Sequence, residues 1–521
     1  MSTLISAAAV QTAAGRLGDS VLIDNDLVVA VGERSELGAQ AKAEYRYEDA
    51  VILPGLRDSH FHPVGYTAAL NGTTLGGIVD LAEMREVLGA AAARIAPGDA
   101  LIATRFDDTA VAERRLPTRA DLDRATGAMP TLVHRYCGHV AIANTVALVE
   151  AGIDATTADP TGGVIDRDDN GVPTGVLRET AIDLVSRHLN AGFKLAPRDV
   201  VDAMTLLAGI GLTSIGAMLG LGDGPWASFG DEVETLAAAA DDLPIRLHVY
   251  VIAHAIDDLH EARRRIERAG PRLRWAGVKI FADGSLGGHT AAMDAPFSDA
   301  TGETGTLRLT PDDLELASAS LHAGGMVAIH AIGDRANTNV LDHFETIIKM
   351  GAPPGRLRLE HASVLNPADV ERIGRMGIVT SVQPAFLGSE VDWLEDRVGP
   401  DRLPFTYPLR SLQRAGATLA GGSDCPVESP DPFAGMALAI DRAGIVVEEG
   451  LEPAAALGLY TQTTALQEPA PLATGSPADL IVVDRNPVEV TPDELRETRV
   501  LGTFVDGAEV EVDRTRPYWV D

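Results

Sequence analysis

His60-Phe61-His62 sets two imidazoles two positions apart, so on an extended strand both point to one face and can grip a single ion together. Taken alone, the pair is equally compatible with two hydrogen-bonded histidines of no chemical role. Four more residues close apolar runs elsewhere in the chain: Lys279, His330, His361 and Asp424. His330 and His361 end runs expected to be buried on both faces, where an imidazole needs either a metal or a hydrogen-bond partner. Lys279 lies inside Ala276-Gly277-Val278-Lys279-Ile280-Phe281, and a lysine there cannot cheaply hold a bare charge. It must be paired, neutral or modified. Carboxylation by CO₂ would make it a carbamate able to bridge two divalent ions, while pairing with Asp283 or with substrate is the alternative. Asp424 follows Gly421-Gly422-Ser423, and an acid beside a metal is the group that takes a proton from metal-bound water; helix capping is its other use.

Elements must bring these six together. Eight apolar runs read as strands: 51–62, 212–218, 245–252, 276–284, 326–333, 356–363, 377–386 and 418–425, separated by Ala- and Glu-rich helical stretches. Eight βα units predict an α/β fold, a (β/α)₈ TIM-type barrel over 54–474, whose active site gathers at the C-terminal ends of the strands. The long gap after the first strand predicts an inserted subdomain over 66–205, with an exposed turn at Asp166–Thr174 and helices at Ala90–Ile95 and Ala181–Leu189. Short β-type runs in 1–53 and 475–521, with an Asp506-Gly507 hairpin turn, predict a small composite β-sandwich domain built from both termini.

Composition narrows the function classes. Apolar residues are 45% and charged residues 23% of 521, with 52 Gly and 30 Pro, the profile of an ordered globular enzyme. Formal charge is 43 minus 75, or −32, which argues against nucleic acid and against an anionic membrane surface. Two cysteines, Cys137 and Cys425, make no disulfide framework, and no basic leader or long apolar span stands out, so a soluble cytoplasmic protein is expected. The expected partner is a small-molecule substrate, with a homodimer left open.

The chain resembles the amidohydrolase superfamily, in particular the branch that includes N-substituted formamide deformylases. The resemblance rests on Leu53 to His62, Val278 to Gly287, Ile329 to Asp334, Glu360-His361-Ala362 and Gly422-Ser423-Asp424, in that order along nearly the whole chain. It implies that His60 and His62 bind one metal with Asp424, that His330 and His361 bind a second, and that carboxylated Lys279 bridges them. It also implies a shared hydroxide as nucleophile, with Asp424 passing the proton to the leaving amine. Zinc suits such ligands, as do manganese, iron, cobalt and nickel.

Cys137-Gly138-His139 resembles a Gly-His segment of that branch, which puts His139 against substrate; a buried positioning histidine is the alternative. Where the branch has Gly-Trp and Ser-Arg, this chain has Arg105-Phe106 and Gly288-His289, which makes His289 a further substrate-binding candidate and leaves the substrate itself open. The function expected is metal-dependent hydrolysis of non-peptide carbon–nitrogen bonds in linear or N-substituted amides. A one-metal deaminase-like or non-hydrolytic enzyme, or a non-catalytic binding protein, are the alternatives.

Overall fold

The computed structural model describes residues 2–519 apart from 97, 137, 161–162, 190–194, 223–228 and 463–465. Eight parallel strands form one sheet in chain order: β1 (Leu56–Phe61), β2 (Leu212–Gly220), β3 (Arg246–Ile252), β4 (Leu273–Phe281), β5 (Met326–Ala331), β6 (Leu357–His361), β7 (Val379–Val382) and β8 (Thr418–Gly421). Just past β8 the sheet closes on β1, where the Asp424 amide donates to the His60 carbonyl and the His62 amide to that of Cys425, both at 2.8 Å. The expected barrel is thus present, and the two chemically marked segments form its seam.

Helices cover the outside. Several start with proline in the first turn, where no intrahelical amide bond is lost, as in Pro197–Gly209, Pro311–His322, Pro367–Met376, Pro432–Asp441 and Pro453–Thr461. Ile256–Ala269 shows the amphipathic logic: Leu259, Ala262 and Ile266 are buried on one stripe while its charged face meets water. The barrel interior is narrow and holds Met218, Tyr250, Met326, Ala328, Val379 and Ala420.

The expected first strand, 51–62, is two strands. Val51–Pro54 pairs with Leu480–Val483 in the sheet made by the termini, and β1 begins after Gly55. A Cβ at Gly55 would sit 2.3 Å from Thr213 Oγ1, so the chain crosses from one sheet to the other at a point where β2 leaves no room for a side chain. The terminal sheet has eight strands, and its long strand Ser2–Thr12 pairs with Ala43–Arg46 along its first half and with Val51–Pro54 along its second. That split lets both parts share one core of Ile5, Val10, Ile23, Ile52, Leu480 and Phe504.

A third sheet of six strands lies between Thr73 and Glu179. The turn expected at Asp166–Thr174 joins the hairpin of Gly163–Arg167 and Pro173–Glu179, and helix occupies Asp183–Leu189. Ala90–Ile95 is corrected: helix runs over Leu81–Ala92 and has ended by Ala93, so only the start of the expected segment is helical. Cys425 is buried, and Cys137 lies outside the described residues. No helix among the described residues is long and apolar enough to cross a membrane.

The close approach of β1 and β2 gives a prediction. A Cβ on Gly216 would lie 2.2 Å from the Ser59 carbonyl oxygen, a backbone atom that cannot swing away, whereas one on Gly355 meets nothing within 4 Å. Gly216→Ala should destabilise by about 3 kcal/mol through overpacking, with Gly355→Ala nearly neutral. Calorimetric midpoints check this, and equal midpoints would contradict the crowding.

Candidate metal centre

All six expected ligands converge at the C-terminal rim of the barrel. His60 comes from β1, and His62 opens the helix Pro63–Asn71; Lys279 stands on β4, His330 on β5, His361 ends β6, and Asp424 follows β8. Side chains alternate along a strand, so with Arg358 and Glu360 turned into the barrel, His361 would face the helices. Its backbone instead takes φ 73°, and Ala362 follows at 49°. These uncommon left-handed conformations re-aim the imidazole at the rim. Asp424 is likewise left-handed, at φ 59°.

The donor atoms are close. His60, His361 and Asp424 each offer one within 4.8 Å of the others, all buried. Asp424 Oδ1 lies 3.1 Å from His62 Nε2 and 3.4 Å from His60 Nε2. The rings of His330 and His361 are 4.4 Å apart, and Lys279 Nζ is 3.3 Å from His60 Nε2. Lys279 does not pair with Asp283, whose carboxylate accepts the amides of Ala292, Ile332 and Gly333 instead.

A second layer fixes which nitrogen each imidazole presents. His60 Nδ1 faces Glu360 at 2.7 Å and His361 Nδ1 faces the Gln383 amide oxygen at 2.9 Å, so both direct Nε2 to the rim. His330 is reversed: Nε2 meets the Gly284 carbonyl at 2.9 Å, leaving Nδ1 as its donor. Glu360 is itself clamped by Arg358, Nε to Oε1 at 2.8 Å, and both side chains are fully buried.

Electrostatics prepares the same chemistry. Burial, aided by Lys279, pushes His60 down to about 4, and burial also lowers His330 and His361. Burial lowers Lys279 to about 8. For Asp424 burial acts upward, but His60, His62 and Lys279 outweigh it and hold the carboxylate at about 2. Imidazoles whose protonation burial disfavours, an ionised carboxylate among them and a lysine whose ammonium burial destabilises form a donor set that fits divalent cations.

The rim opens into a cavity partly walled by the inserted sheet. His139 reaches it, with Nδ1 on Glu179 at 2.9 Å and its ring 5.8 Å from that of His330. His289 is not among the described residues that line it: Nε2 faces Asp299 at 3.1 Å and the ring packs on Phe297. Arg105, where the chain departs from the branch, lines the cavity, as do Arg135, His134, Thr104 and Glu232, which no sequence pattern marks. Among the described residues the Nε2 of His134 and the Oγ1 of Thr104 find no hydrogen-bond partner, which leaves both able to meet a substrate. In sequence, Glu360 is read only as a neighbour of His361, and the supporting roles of Glu360, Gln383 and Glu179 are not marked. An acid two positions from Arg358 within a buried strand was the available signal for the first.

Comparison with known proteins agrees with this geometry. The family described as the amidohydrolase family matches residues 48–511. The putative amidohydrolase YtcJ of Bacillus subtilis (strain 168) is 30% identical, covering 94% of this chain and 95% of its own. N-substituted formamide deformylase of Arthrobacter pascens is 29% identical, over 94% of each chain. Among solved structures, an uncharacterised metal-dependent hydrolase from Pyrococcus horikoshii OT3 superposes with TM-score 0.73 at 25% identity, over 95% of this chain and 99% of that one.

Removing the support under His60 should loosen the metal. Glu360→Gln is expected to weaken divalent-ion affinity about 10- to 100-fold in chelator competition, and to cost about 3–5 kcal/mol because Arg358 is left buried without its counter-charge. Unchanged affinity would show that Glu360 does not orient the ligand.

Proposed function

This chain belongs to the amidohydrolase family, and we propose that its reaction is hydrolysis of a carbon–nitrogen bond other than a peptide bond, in a linear or N-substituted amide. The observation that carries the reading is the convergence of neutral imidazoles and one carboxylate, His60, His361 and Asp424 within 4.8 Å, at the floor of a cavity. His60, His62, His330, His361, Asp424 and Lys279 would hold two divalent ions, zinc foremost, with Lys279 carboxylated. Bound there, such ions supply a water acidic enough to ionise near neutrality and polarise a carbonyl.

The residues supply the rest. Asp424 is held as a carboxylate at the rim by His60, His62 and Lys279, so it can accept the proton of the attacking water and return it to the nitrogen as the carbon–nitrogen bond breaks. One carboxylate serves both transfers, leaving an acid and an amine as products. His134, Thr104 and His139 border the space where the amide and its substituents would lie, and they can fix its orientation. Similarity to a formamide deformylase along nearly the full chain supports an N-substituted amide as substrate class.

The compact trio also favours a second reading, a single ion held by His60, His361 and Asp424, as a one-metal enzyme would use. Metal analysis separates the two: about two ions per chain with a modified Lys279 against one ion with a bare lysine. On a panel of N-formyl and N-acyl amines, the metal-loaded protein should release free amine, lose that activity on chelation and regain it with divalent ion. Asp424→Asn should lower kcat at least about 100-fold. Parental turnover by that variant would remove Asp424 from the proton path.

A further inference from the structure

The insertion presents one edge of its sheet to the main cavity, and that wall is rich in donors. Strands Leu101–Phe106 and Thr131–Arg135 run parallel, with Ala103 opposite Val133. Those two side chains enter the insertion's core, so Thr104 and His134, the residues after them, face the other way and border the cavity from adjacent strands. In a regular strand Arg105 would follow Ala103 into the core. The ladder instead slips between Ala103 and Phe106, and Arg105 takes φ 66°, which turns its side chain to the cavity as well. A bulge and a left-handed residue both cost stability, and they recur where a side chain is re-aimed at a ligand.

The re-aimed guanidinium is held in place. Its Nη1 donates to the Pro426 carbonyl at 3.0 Å, and its Cζ lies 4.1 Å from the centre of the Trp519 ring. Its charge also reaches Glu428, while Arg135 on the same wall forms an ion pair with Asp108. Thr104 and His134 carry the argument further. Thr104 Oγ1 and His134 Nε2 are buried without a hydrogen-bond partner among the described residues, and His134 is only 9% exposed. Buried polar atoms are seldom left so, which points to a group that arrives with the substrate. Burial pushes His134 down to about 4 and keeps it neutral, so its Nε2 can carry a proton and donate. A hydroxyl, an imidazole N–H and a guanidinium match an anion with several lone pairs, and a single guanidinium offsets the single charge of a carboxylate.

We propose that Thr104, Arg105 and His134 form a subsite for a carboxylate carried on the amine side of the scissile amide. The assignment rests on the amide-hydrolase reading above. Arg105 is tied to Pro426, just beyond Asp424, the group assigned to protonate the departing nitrogen, and this puts the wall on the leaving side. The cavity measures about 150 Å³, close to one that takes up benzene, so few atoms separate the carboxylate from the amide nitrogen.

The test uses metal-loaded protein and matched probes. The methanesulfonamides of glycine and of β-alanine are compared with those of isobutylamine and of isopentylamine, in which an isopropyl group replaces the carboxylate. None is hydrolysable as an amide, so calorimetry reads binding apart from turnover. For at least one spacer the carboxylate probe should bind at least about tenfold more tightly than its apolar match. Arg105→Gln with Thr104→Val should bring that ratio to about one, and each substitution alone should remove part of it. Thermal midpoints show which variants fold, and the near-isosteric Thr104→Val carries the test should Arg105→Gln unfold the protein. In turnover, the kcat/KM of N-formylglycine or N-formyl-β-alanine relative to its isopropyl match should fall in the same variants, through KM. Equal binding of the paired probes by the parent protein would overturn the proposal. So would a preference that survives both substitutions, the sign of a carboxylate held by the metal ions alone. If the binding preference appears and disappears as described but no formamide is hydrolysed, the amide reading fails and the carboxylate subsite stands.

Discussion

A line of charge through the barrel interior, Arg358 to Glu360 to His60, is the constraint to which the rest of the centre answers. Arg358 and Glu360 are fully buried, and Arg358 also donates to the Ser59 carbonyl and the Tyr250 hydroxyl, at 2.8 and 2.7 Å. In so dry a place a broken link leaves an uncompensated charge, so the three side chains are held to one arrangement. That arrangement ties β6 to β1 across the barrel and points His60 Nε2 at the rim. The barrel thus gives up some apolar filling at its centre and gains a fixed ligand.

Much of the remaining geometry can be traced from that line. The seam that closes the barrel runs through the backbones of His60, His62 and Asp424, so the same hydrogen bonds that complete the fold set the spacing of three expected ligands. Asp58 reinforces it by accepting from the His60 amide and from the amide and hydroxyl of Ser423. Gly422 sits in the middle of this contact, where a Cβ would meet the His60 amide nitrogen at 2.8 Å. Stability and chemistry share these residues, which makes them hard to alter one at a time.

What the sequence made legible, and what it hid, follows from the range of the forces. The barrel strands were readable because a strand buried on both faces must be almost wholly apolar, a local property. The rim residues were readable because charged and imidazole groups ending such strands need a purpose. The split of 51–62 was hidden, since Gly55 marks it only through its contact with Thr213, far along the chain. The inward turn of His361 was hidden too, because simple alternation predicts the opposite face and a left-handed residue corrects it. His289 resembled a substrate contact by its place after Gly288, yet Asp299 and Phe297 hold it. Glu360 and Gln383 look like ordinary polar residues until the barrel closes and aligns them with His60 and His361.

The central claim is that this closed, charge-clamped rim is a metal-holding site whose ligand directions are fixed by the second layer of side chains. Anomalous scattering from crystals of the metal-loaded protein, collected at the absorption edge of the bound ion, tests it most directly. The account predicts a peak among His60, His361 and Asp424, with His60 and His361 approaching through Nε2 and His330 through Nδ1. Saturating metal that leaves this rim without a peak, or a peak reached through the opposite nitrogens, would contradict it.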